Sequence, residues 1–444
     1  MNILYLHTHD TGRCLGPYGF QVQTPAFSAL AEESVVFRNA YCTAPTCSPS
    51  RAGLLTGQYP HQNGMWGLAH RGFSLNDPER HLARTLSRNG YETVLAGIQH
   101  EAEQSETLGY QKILGDRQFS MGKCEKDWRK FDLENAAAAA NYICQKHDRS
   151  FFLSLGLFNT HRPFPVPAEE NAADVCSPFP HLPDGPETRK DMAGFYESVK
   201  IADSAVDIVL EALKESGRKN DTLVLFTTDH GPAFPWMKCS LRDAGTGVAL
   251  MISAPGIRHQ VTDALVSHID VFPTICEAAG IPLPEHLEGT SLYPILRGET
   301  DKVHDAVFME NSFHVAYEPM RGLRTERYKY IRRFGAYPYP RLSNTDDSPS
   351  KKLLMECGAF DEPYPREALY DLLRDPMEQN NLAALPEYQQ TIEEMRRRLG
   401  EWMNRTGDPL LNGPMRPGPR ALVNPPESLS PSDRSFLQDT AFLQ

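Results

Sequence analysis

The stretch Ile3-Leu4-Tyr5-Leu6 runs directly into His7-Thr8-His9-Asp10, and this arrangement decides the fold class. Consecutive apolar residues are typical of a strand that is buried on both faces of a parallel sheet. In open parallel sheets, ligands bind outside the carboxyl ends of the strands. The stretch therefore predicts a buried strand that carries titratable side chains at its functional end.

The same pattern recurs along the chain, with short apolar runs alternating with longer helical patterns. This alternation predicts an α/β fold, in which helices cover both faces of a large, mostly parallel sheet. The strand candidates are residues 3–6, 35–38, 93–96, 151–157, 222–227 and 248–253. The main helix candidates are residues 25–33, 81–89, 134–146, 189–215 and 269–279.

The pattern of predicted secondary structure changes after about residue 300. Residues 306–309 and 328–332 are typical of a smaller antiparallel sheet, and residues 382–404 of a charged helix. A Pro-rich stretch follows from Pro409. We therefore predict three parts: a catalytic α/β domain (1–300), a C-terminal α+β subdomain (301–408) and a Pro-rich C-terminal tail (409–444).

Composition and charge exclude several classes of protein. A net charge of −12 without any Lys/Arg-rich run argues against a nucleic-acid partner. No stretch approaches the roughly eighteen apolar residues of a membrane span, so no membrane partner is expected. The apolar run after Met1-Asn2 is too short for a signal peptide, which predicts a cytoplasmic protein. The nine scattered cysteines predict neither a disulfide framework nor a zinc ribbon.

Two His/Asp pairs follow strand candidates, in reversed order. His9-Asp10 follows the first strand candidate, and Asp229-His230 follows residues 222–227. Each pair offers a carboxylate oxygen and an imidazole nitrogen, and two pairs at one sheet edge can converge on a metal ion. Capping aspartates beside packed histidines are the alternative, but the repetition favours a metal site.

Three further groups follow the strand candidates. His100 comes after the third, His161 after the fourth, and Lys238 nine residues after Asp229. Each alone is an ordinary loop residue. Their common placement at strand ends is expected of an active site.

The pentapeptide Cys47-Ser48-Pro49-Ser50-Arg51 precedes an apolar stretch. Ser48 or Ser50 suits a helix N-cap, and Pro49 suits the first helical turn. Cys47 would then lie at a helix N-terminus, which attracts anions, with Arg51 as a permanent cation. A buried cysteine before an ordinary cap is the alternative, and the local sequence leaves the choice open.

These residues resemble the type I sulfatase family of the alkaline-phosphatase superfamily. The family motif Cys-x-Pro-x-Arg, followed by Thr-Gly, is matched by residues 47–51 and by Thr56-Gly57. Asp229-His230-Gly231 and residues 369–382 are also similar, so the resemblance covers about residues 1–400. Residues 61–65 look most like the heparan N-sulfatase (sulfamidase) branch.

The resemblance implies an alkaline-phosphatase-like fold and a hydrolase of sulfate esters or sulfamates, acting on a small sulfated saccharide. In this family a formylglycine-generating or anaerobic sulfatase-maturating enzyme oxidises the motif cysteine to formylglycine, whose hydrate attacks sulfur. The implied metal set is His9, Asp10, Cys47, Asp229 and His230, with the alternative that His9 turns away and leaves Asp10 to bind. The implied catalytic residues, which contact the nucleophile or the sulfate, are Cys47, Arg51, His100, His161 and Lys238.

The sequence departs from the family at three places. His9-Asp10 replaces the usual Asp-Asp, and Asp229-His230 replaces the frequent Asp-Asn. Calcium is the family ion, but imidazole suits Mn²⁺ or Zn²⁺ better, which leaves the ion open. Ile98 stands where the family has a catalytic lysine. The candidates to replace that lysine are Lys238, Arg162 and Arg242.

Other functions and contacts stay open at this stage. A phosphonate monoester or phosphodiester hydrolase with the same machinery is the second reading, and a degenerate binder of sulfated ligands is the third. Trp66, Phe234 and Trp236 suit either sugar stacking or core packing. The resemblance also suggests that His314, Tyr317 and Arg321 reach the pocket. A homo-oligomer is compatible with the sequence.

Overall fold

A computed structural model of the protein describes residues 1–115 and 127–437. The strands of the main sheet are β1 (Asn2–Thr8), β2 (Val35–Tyr41), β3 (Glu92–Gly97), β4 (Lys112–Leu114), β5 (Phe151–Gly156), β6 (Thr222–Thr228), β7 (Gly247–Ser253), β8 (Gln260–Thr262) and β9 (Val266–Ser267). The α-helices are α1 (Pro25–Ala31), α2 (Cys47–Thr56), α3 (Pro60–Asn63), α4 (Leu82–Arg88), α5 (Trp128–Ile143), α6 (Pro186–Glu215), α7 (Asp243–Thr246), α8 (Val271–Ala279), α9 (Tyr293–Leu296), α10 (Pro349–Glu356) and α11 (Gln389–Thr406).

The main sheet has the strand order β4-β3-β5-β1-β6-β7-β2-β8, with β9 beside β2. All neighbouring pairs in it are parallel except the two that involve β7, which runs antiparallel to both β6 and β2. Since only β7 is reversed, β2 points the same way as β6. The carboxyl ends of β1, β2, β3, β5 and β6 therefore lie along one edge.

Strand β1 lies between two hydrophobic cores. Ile3 and Tyr5 join the core that contains α2, α4 and α8, whereas Leu4 and Leu6 join the core that contains α1, α5 and α6. Successive strand residues point to opposite faces. A run that is apolar at every position therefore fits the centre of a sheet covered on both sides.

A second, antiparallel sheet follows the main one. Its strands are β10 (Ala306–Phe313), β11 (Tyr317–Thr325), β12 (Tyr328–Arg333) and β13 (Glu367–Asp371), paired in that order. Helix α11 packs on it through Trp402, whose ring stacks on Phe308 at 5.1 Å between centroids. Among the described residues, no helix is long and apolar enough to cross a membrane.

The fold class predicted from the sequence is confirmed, and all six strand candidates correspond to strands. Several helix bounds were wrong. Helix α5 begins at Trp128 rather than at residue 134, and α11 begins at Gln389 rather than at residue 382. The division at residues 300 and 408 stays a prediction, and residues 438–444 of the predicted tail lie outside the described part of the chain.

Candidate active site

Four of the predicted ligands meet where the strand ends converge. The ligating atoms of Asp10, Cys47, Asp229 and His230 all lie within 4.8 Å of one another, and all four residues are buried. We call this group the strand-end cluster. His230 Nε2 lies 3.3 Å from Asp10 Oδ1 and 3.4 Å from Cys47 Sγ. Asp10 and Cys47 follow β1 and β2, and the other two follow β6, so the parallel topology brings them together.

Backbone conformation fixes the two aspartates. Asp10 adopts the left-handed conformation, with φ of 50°, two residues after the end of β1. Its amide N–H donates a 2.8 Å hydrogen bond to Asp229 Oδ1, which also accepts a 2.9 Å bond from the His230 amide. The turn therefore ties the end of β1 to the end of β6.

Cys47 is the first residue of α2, and Thr46 rather than a serine precedes the helix as its cap residue. The prediction that Ser48 or Ser50 caps the helix was wrong. Ser48 accepts a 3.0 Å hydrogen bond from the Ala69 amide, and Ser50 donates to the Asp229 carbonyl oxygen. Both hydroxyls therefore fasten the helix start to its surroundings, and Pro49 lies in the first turn as expected.

The thiol of Cys47 is a poor nucleophile in this environment. Burial raises its pKa well above the ordinary value, and the positive charge of Lys238 only partly opposes this effect. The thiolate, not the thiol, attacks electrophiles. An unmodified Cys47 would therefore stay protonated at neutral pH.

Arg51 lies one helical turn after Cys47 and is buried. Its Nη2 donates to Asp229 Oδ2 at 3.0 Å and to the Thr8 carbonyl oxygen at 2.8 Å. Burial favours the protonated form of Asp229, but His230 and Arg51 outweigh it and hold the pKa of this carboxyl well below its ordinary value. The role expected for Arg51, to steady the nucleophile and sulfate, is thus accompanied by an ion pair that keeps Asp229 ionised.

His9 lies outside the strand-end cluster, and its role as a metal ligand stays a prediction. Its Nδ1 faces the Leu157 carbonyl oxygen at 3.0 Å, and its ring lies 5.9 Å from that of His161. The left-handed turn at the next residue directs Asp10 into the cluster and leaves His9 beside it. Burial lowers the pKa of His9 well below its ordinary value, so the ring is neutral.

Lys238 supplies the cation of the site. Its Nζ lies 2.8 Å from Asp10 Oδ2, 3.1 Å from Asp346 Oδ2 and 3.5 Å from His161 Nε2. Burial disfavours its charge, but Asp10 and Asp346 outweigh this and raise its pKa well above the ordinary value. Asp346 was missed by the sequence reasoning, because nothing in the polar loop before α10 distinguishes it from a surface aspartate.

Ile98 offers no substitute for the missing lysine, because its side chain packs with Phe131 and Phe158. Of the candidates to replace it, Arg162 pairs with Asp191 at 2.7 Å, and Arg242 is absent from the residues that line the cavity beside Cys47. Lys238 is the only one of the three that reaches the site.

His100 lines the cavity and forms a pair that the sequence did not reveal. Its Nε2 lies 2.9 Å from Nδ1 of His70, and the two rings stack at 5.1 Å. Burial lowers the pKa of His70 to about 4, so both rings are neutral at pH 7. His70 lies in a short 3₁₀ turn with no regular pattern around it.

A cavity of about 920 Å³ opens above Cys47, and its wall includes His161, Lys238 and His314. Tyr317 and Arg321 do not line it, contrary to expectation. Phe234 is buried in the core, with its ring 5.6 Å from that of Phe195.

The two predicted stacking tryptophans, Trp66 and Trp236, are also absent from the cavity wall. The core-packing alternative therefore describes these aromatic residues better than sugar stacking.

The strand-end cluster fits a divalent cation. His230 Nδ1 lies 2.9 Å from the Gly231 carbonyl oxygen and can only donate to it, so in the neutral ring Nε2 carries the lone pair. Nε2 faces the carboxylate oxygen Asp10 Oδ1 at 3.3 Å. Either a proton on Nε2 or a metal ion must therefore lie between these two atoms, and the mixed oxygen and nitrogen donors suit a divalent metal.

Comparison with known proteins decides the family. The family model described as Sulfatase matches residues 2–281. The chain belongs to the sulfatase family. A second family model, N-sulphoglucosamine sulphohydrolase, C-terminal, matches residues 236–352 of this sulfatase. The resemblance seen in the sequence is confirmed, and the protein is a hydrolase of sulfate esters or sulfamates.

Individual relatives agree with this assignment. The human N-sulphoglucosamine sulphohydrolase is 31% identical to this sulfatase, over 93% of this chain and 92% of the relative. An ulvan-active sulfatase of Formosa agariphila is 30% identical, over 91% and 80% of the two chains. A solved 2-O GAG sulfatase superposes with a TM-score of 0.73 at 24% identity, over 98% of both chains, which shows the shared fold.

Proposed function

We propose that this sulfatase removes sulfate from a small saccharide, with a sulfamate as its preferred substrate, after Cys47 has been oxidised to formylglycine by a maturating enzyme. One divalent ion would be held by Asp10, Asp229, His230 and the modified residue 47. The observation that carries the proposal is the burial of Cys47 among those three ligands at the base of the 920 Å³ cavity.

The divalent ion and formylglycine would each contribute to the reaction. When bound, the ion would neutralise a sulfate oxygen and lower the pKa of the nucleophile. Formylglycine would supply an activated oxygen nucleophile in place of the protonated thiol of Cys47. Asp10 and Asp229 bring two carboxylates to this position, and Arg51 keeps Asp229 ionised.

Lys238 and His161 would act on the substrate itself. Lys238 Nζ, fixed between Asp10 and Asp346, presents a positive charge where sulfate oxygens would lie. His161 Nδ1 faces the Arg162 carbonyl oxygen at 2.6 Å, which directs Nε2 toward Lys238 and the cavity. A protonated Nε2 can donate to a leaving nitrogen or oxygen.

The preference for a sulfamate rests on the relatives. The C-terminal family model and the human relative both carry the name N-sulphoglucosamine sulphohydrolase. Rates of sulfate release from N-sulfoglucosamine and from glucosamine 6-sulfate test this preference directly. A higher kcat/KM on N-sulfoglucosamine is expected, and the reverse order would contradict it.

His230 favours a second candidate, a phosphonate monoester hydrolase with the same machinery. Both reactions pass through a tetrahedral anionic centre beside a metal, so the geometry of the site suits either. Parallel rates on an aryl sulfate and a phenyl phosphonate ester distinguish them, with the sulfate expected to react faster. Binding of sulfated sugars without release would instead indicate a degenerate homologue.

The nature of the ion is part of the proposal. Imidazole nitrogen binds Mn²⁺ or Zn²⁺ more readily than Ca²⁺. We expect metal analysis of protein purified without chelators to find one of these softer ions, and calcium alone at full occupancy would contradict this. A cytoplasmic location and a homo-oligomer stay predictions from the sequence.

A further inference from the structure

The C-terminal tail forms part of the cavity wall above Cys47. Leu422, Pro431, Ser432 and Arg434 all line the cavity, although they lie about 380 residues from the motif cysteine in sequence. Nothing in the Pro-rich sequence of this stretch indicates a role in the site. The tail is therefore close enough to contact whatever occupies the cavity.

Arg71 fastens the tail at this place. It is buried, and its Nη1 donates to the Leu422 carbonyl oxygen at 2.8 Å, to Asn424 Oδ1 at 2.9 Å and to the Val315 carbonyl oxygen at 3.2 Å. All of these acceptors are neutral. The tail is thus held by a cation whose charge no carboxylate balances among residues 1–115 and 127–437.

Arg434 adds a second cation to the same part of the cavity. It is exposed and, within the described chain, forms neither a hydrogen bond nor an ion pair. Burial and the repulsion between Arg71 and Arg434 together lower the pKa of Arg71 to about 10. The exposed carboxylates of the cavity, Glu103 and Glu106, pair with neither arginine in the described structure.

Lys238, by contrast, is already neutralised. Asp10 and Asp346 both lie within 3.1 Å of its Nζ. Two arginines that no carboxylate of the described chain balances therefore line the cavity that also contains Cys47 and Lys238. Like charges held together without a counter-ion favour an anionic ligand between them, and guanidinium groups match carboxylate and sulfate oxygens well.

Building on the proposed function, we propose that Arg434, held in place by Arg71 and the tail, binds a second anionic group of the substrate, remote from the sulfate that is cleaved. The shared chemistry is an oxyanion, either a second sulfate on the same sugar or the carboxylate of a neighbouring uronate. This makes the tail a determinant of specificity.

Binding to the inactive C47A protein tests this without any turnover. The probes are N-sulfoglucosamine, D-glucosamine-2-N,6-O-disulfate and a disaccharide of N-sulfoglucosamine and a uronate, each titrated by calorimetry. R434Q is added to C47A in one variant, and R416Q in the other. Arg416 is an exposed tail arginine away from the cavity wall, so it gives a matched change of charge.

We expect C47A to bind at least one doubly charged probe more tightly than N-sulfoglucosamine. R434Q should lower that preference about tenfold, as expected for one charged hydrogen-bonding partner, and R416Q should keep it. If R434Q removes the binding preference for the disulfate alone, the second anionic group is a sulfate. If it removes the preference for the disaccharide alone, the group is a carboxylate. An unchanged preference in R434Q, or no preference in C47A, would overturn the proposal.

Turnover by the unmutated protein separates this proposal from the proposed function. If that protein releases no sulfate from any probe while R434Q still removes the binding preference, the anion site stands and the proposed reaction fails. If sulfate is released but R434Q and R416Q bind alike, the reaction stands and the anion site fails.

Discussion

The described residues of the protein include two buried groups of side chains that could hold a metal ion, and the groups differ in what surrounds them. The strand-end cluster lies at the base of a cavity. The second group, His61, Glu310 and Asp408, lies where α3, β10 and the loop after α11 meet, and none of its members lines that cavity. We call this second group the joint cluster. Proximity of ligands alone therefore does not mark the active site.

The difference lies in how the carboxylates are used. In the joint cluster, Arg321 pairs with both oxygens of Asp408 and lies 4.0 Å from Glu310, while His61 bonds to Glu310. In the strand-end cluster, Arg51 likewise pairs with Asp229, but Lys238 pairs with only one oxygen of Asp10, and the other oxygen faces His230 Nε2. A guanidinium bonds to both oxygens of Asp408 in the joint cluster, whereas the strand-end cluster leaves the place between Asp10 Oδ1 and His230 Nε2 to a metal.

The largest expected effect comes from Cys47→Ala. We expect sulfate release to fall at least about 10⁴-fold, because the variant removes the atom from which the nucleophile is made. Circular dichroism and the melting temperature should stay close to those of the unmutated protein. Cys144→Ala, at an exposed cysteine, is the control and should keep full activity. Undiminished hydrolysis by Cys47→Ala would disprove the nucleophile.

Asp229→Asn should lower both metal content and kcat/KM, the latter roughly 10³-fold. The amide keeps the shape of the side chain but removes the charge that Arg51 and the ion require. Metal content by mass spectrometry, measured beside the rate, checks this. A loss of rate at full metal occupancy would make Asp229 a catalytic group rather than a ligand.

Asp408→Asn makes the same chemical change in the joint cluster and should have the opposite consequences. It leaves the buried Arg321 without its bidentate partner, which we expect to lower the free energy of unfolding by about 3 kcal/mol. Urea denaturation measures this loss. Metal content should stay unchanged, and a loss of metal here would show that the joint cluster also binds an ion.

His81, a buried histidine outside both clusters, should make the stability of the protein depend on pH. Burial lowers the pKa of His81 to about 3, while the unfolded chain has its ordinary value, so the unfolded state binds more protons as the pH falls below 6.5. Stability should therefore fall with decreasing pH. His81→Asn, which keeps an acceptor for the Ala83 amide, should reduce the loss between pH 7 and 5 by about 2 kcal/mol. The free energy of unfolding is measured by urea denaturation at both pH values. An equal loss between pH 7 and 5 in the variant and the unmutated protein would contradict this.

The sequence predicts the parts of this site that follow buried strands. An apolar run ending in His9-Asp10 or Asp229-His230 is a local signal, and parallel topology places such ends on one edge. The sequence does not predict which of the two adjacent residues, His9 or Asp10, enters the cluster, because this depends on the left-handed turn at Asp10. That conformation has no clear signature in the sequence, so the sequence could not decide whether His9 joins Asp10 in the cluster.

Other features could not be predicted because they come from distant segments. Asp346 and Arg434 reach the cavity from polar loops without periodicity. Strand β11 contains Pro319 and Gly322, which both weaken a strand pattern, so it was missed. The 61–65 stretch that pointed to the sulfamidase branch places His61 in the joint cluster rather than against the cavity.

The most direct test of the central claim is the mass of the peptide that contains Cys47. The protein should be purified from cells that also express a sulfatase-maturating enzyme, digested, and compared with protein made without that enzyme. Conversion of Cys47 to formylglycine predicts a shift of roughly −18 Da at this residue, accompanied by the appearance of sulfate release. An unshifted Cys47 peptide in protein that releases sulfate would contradict the account.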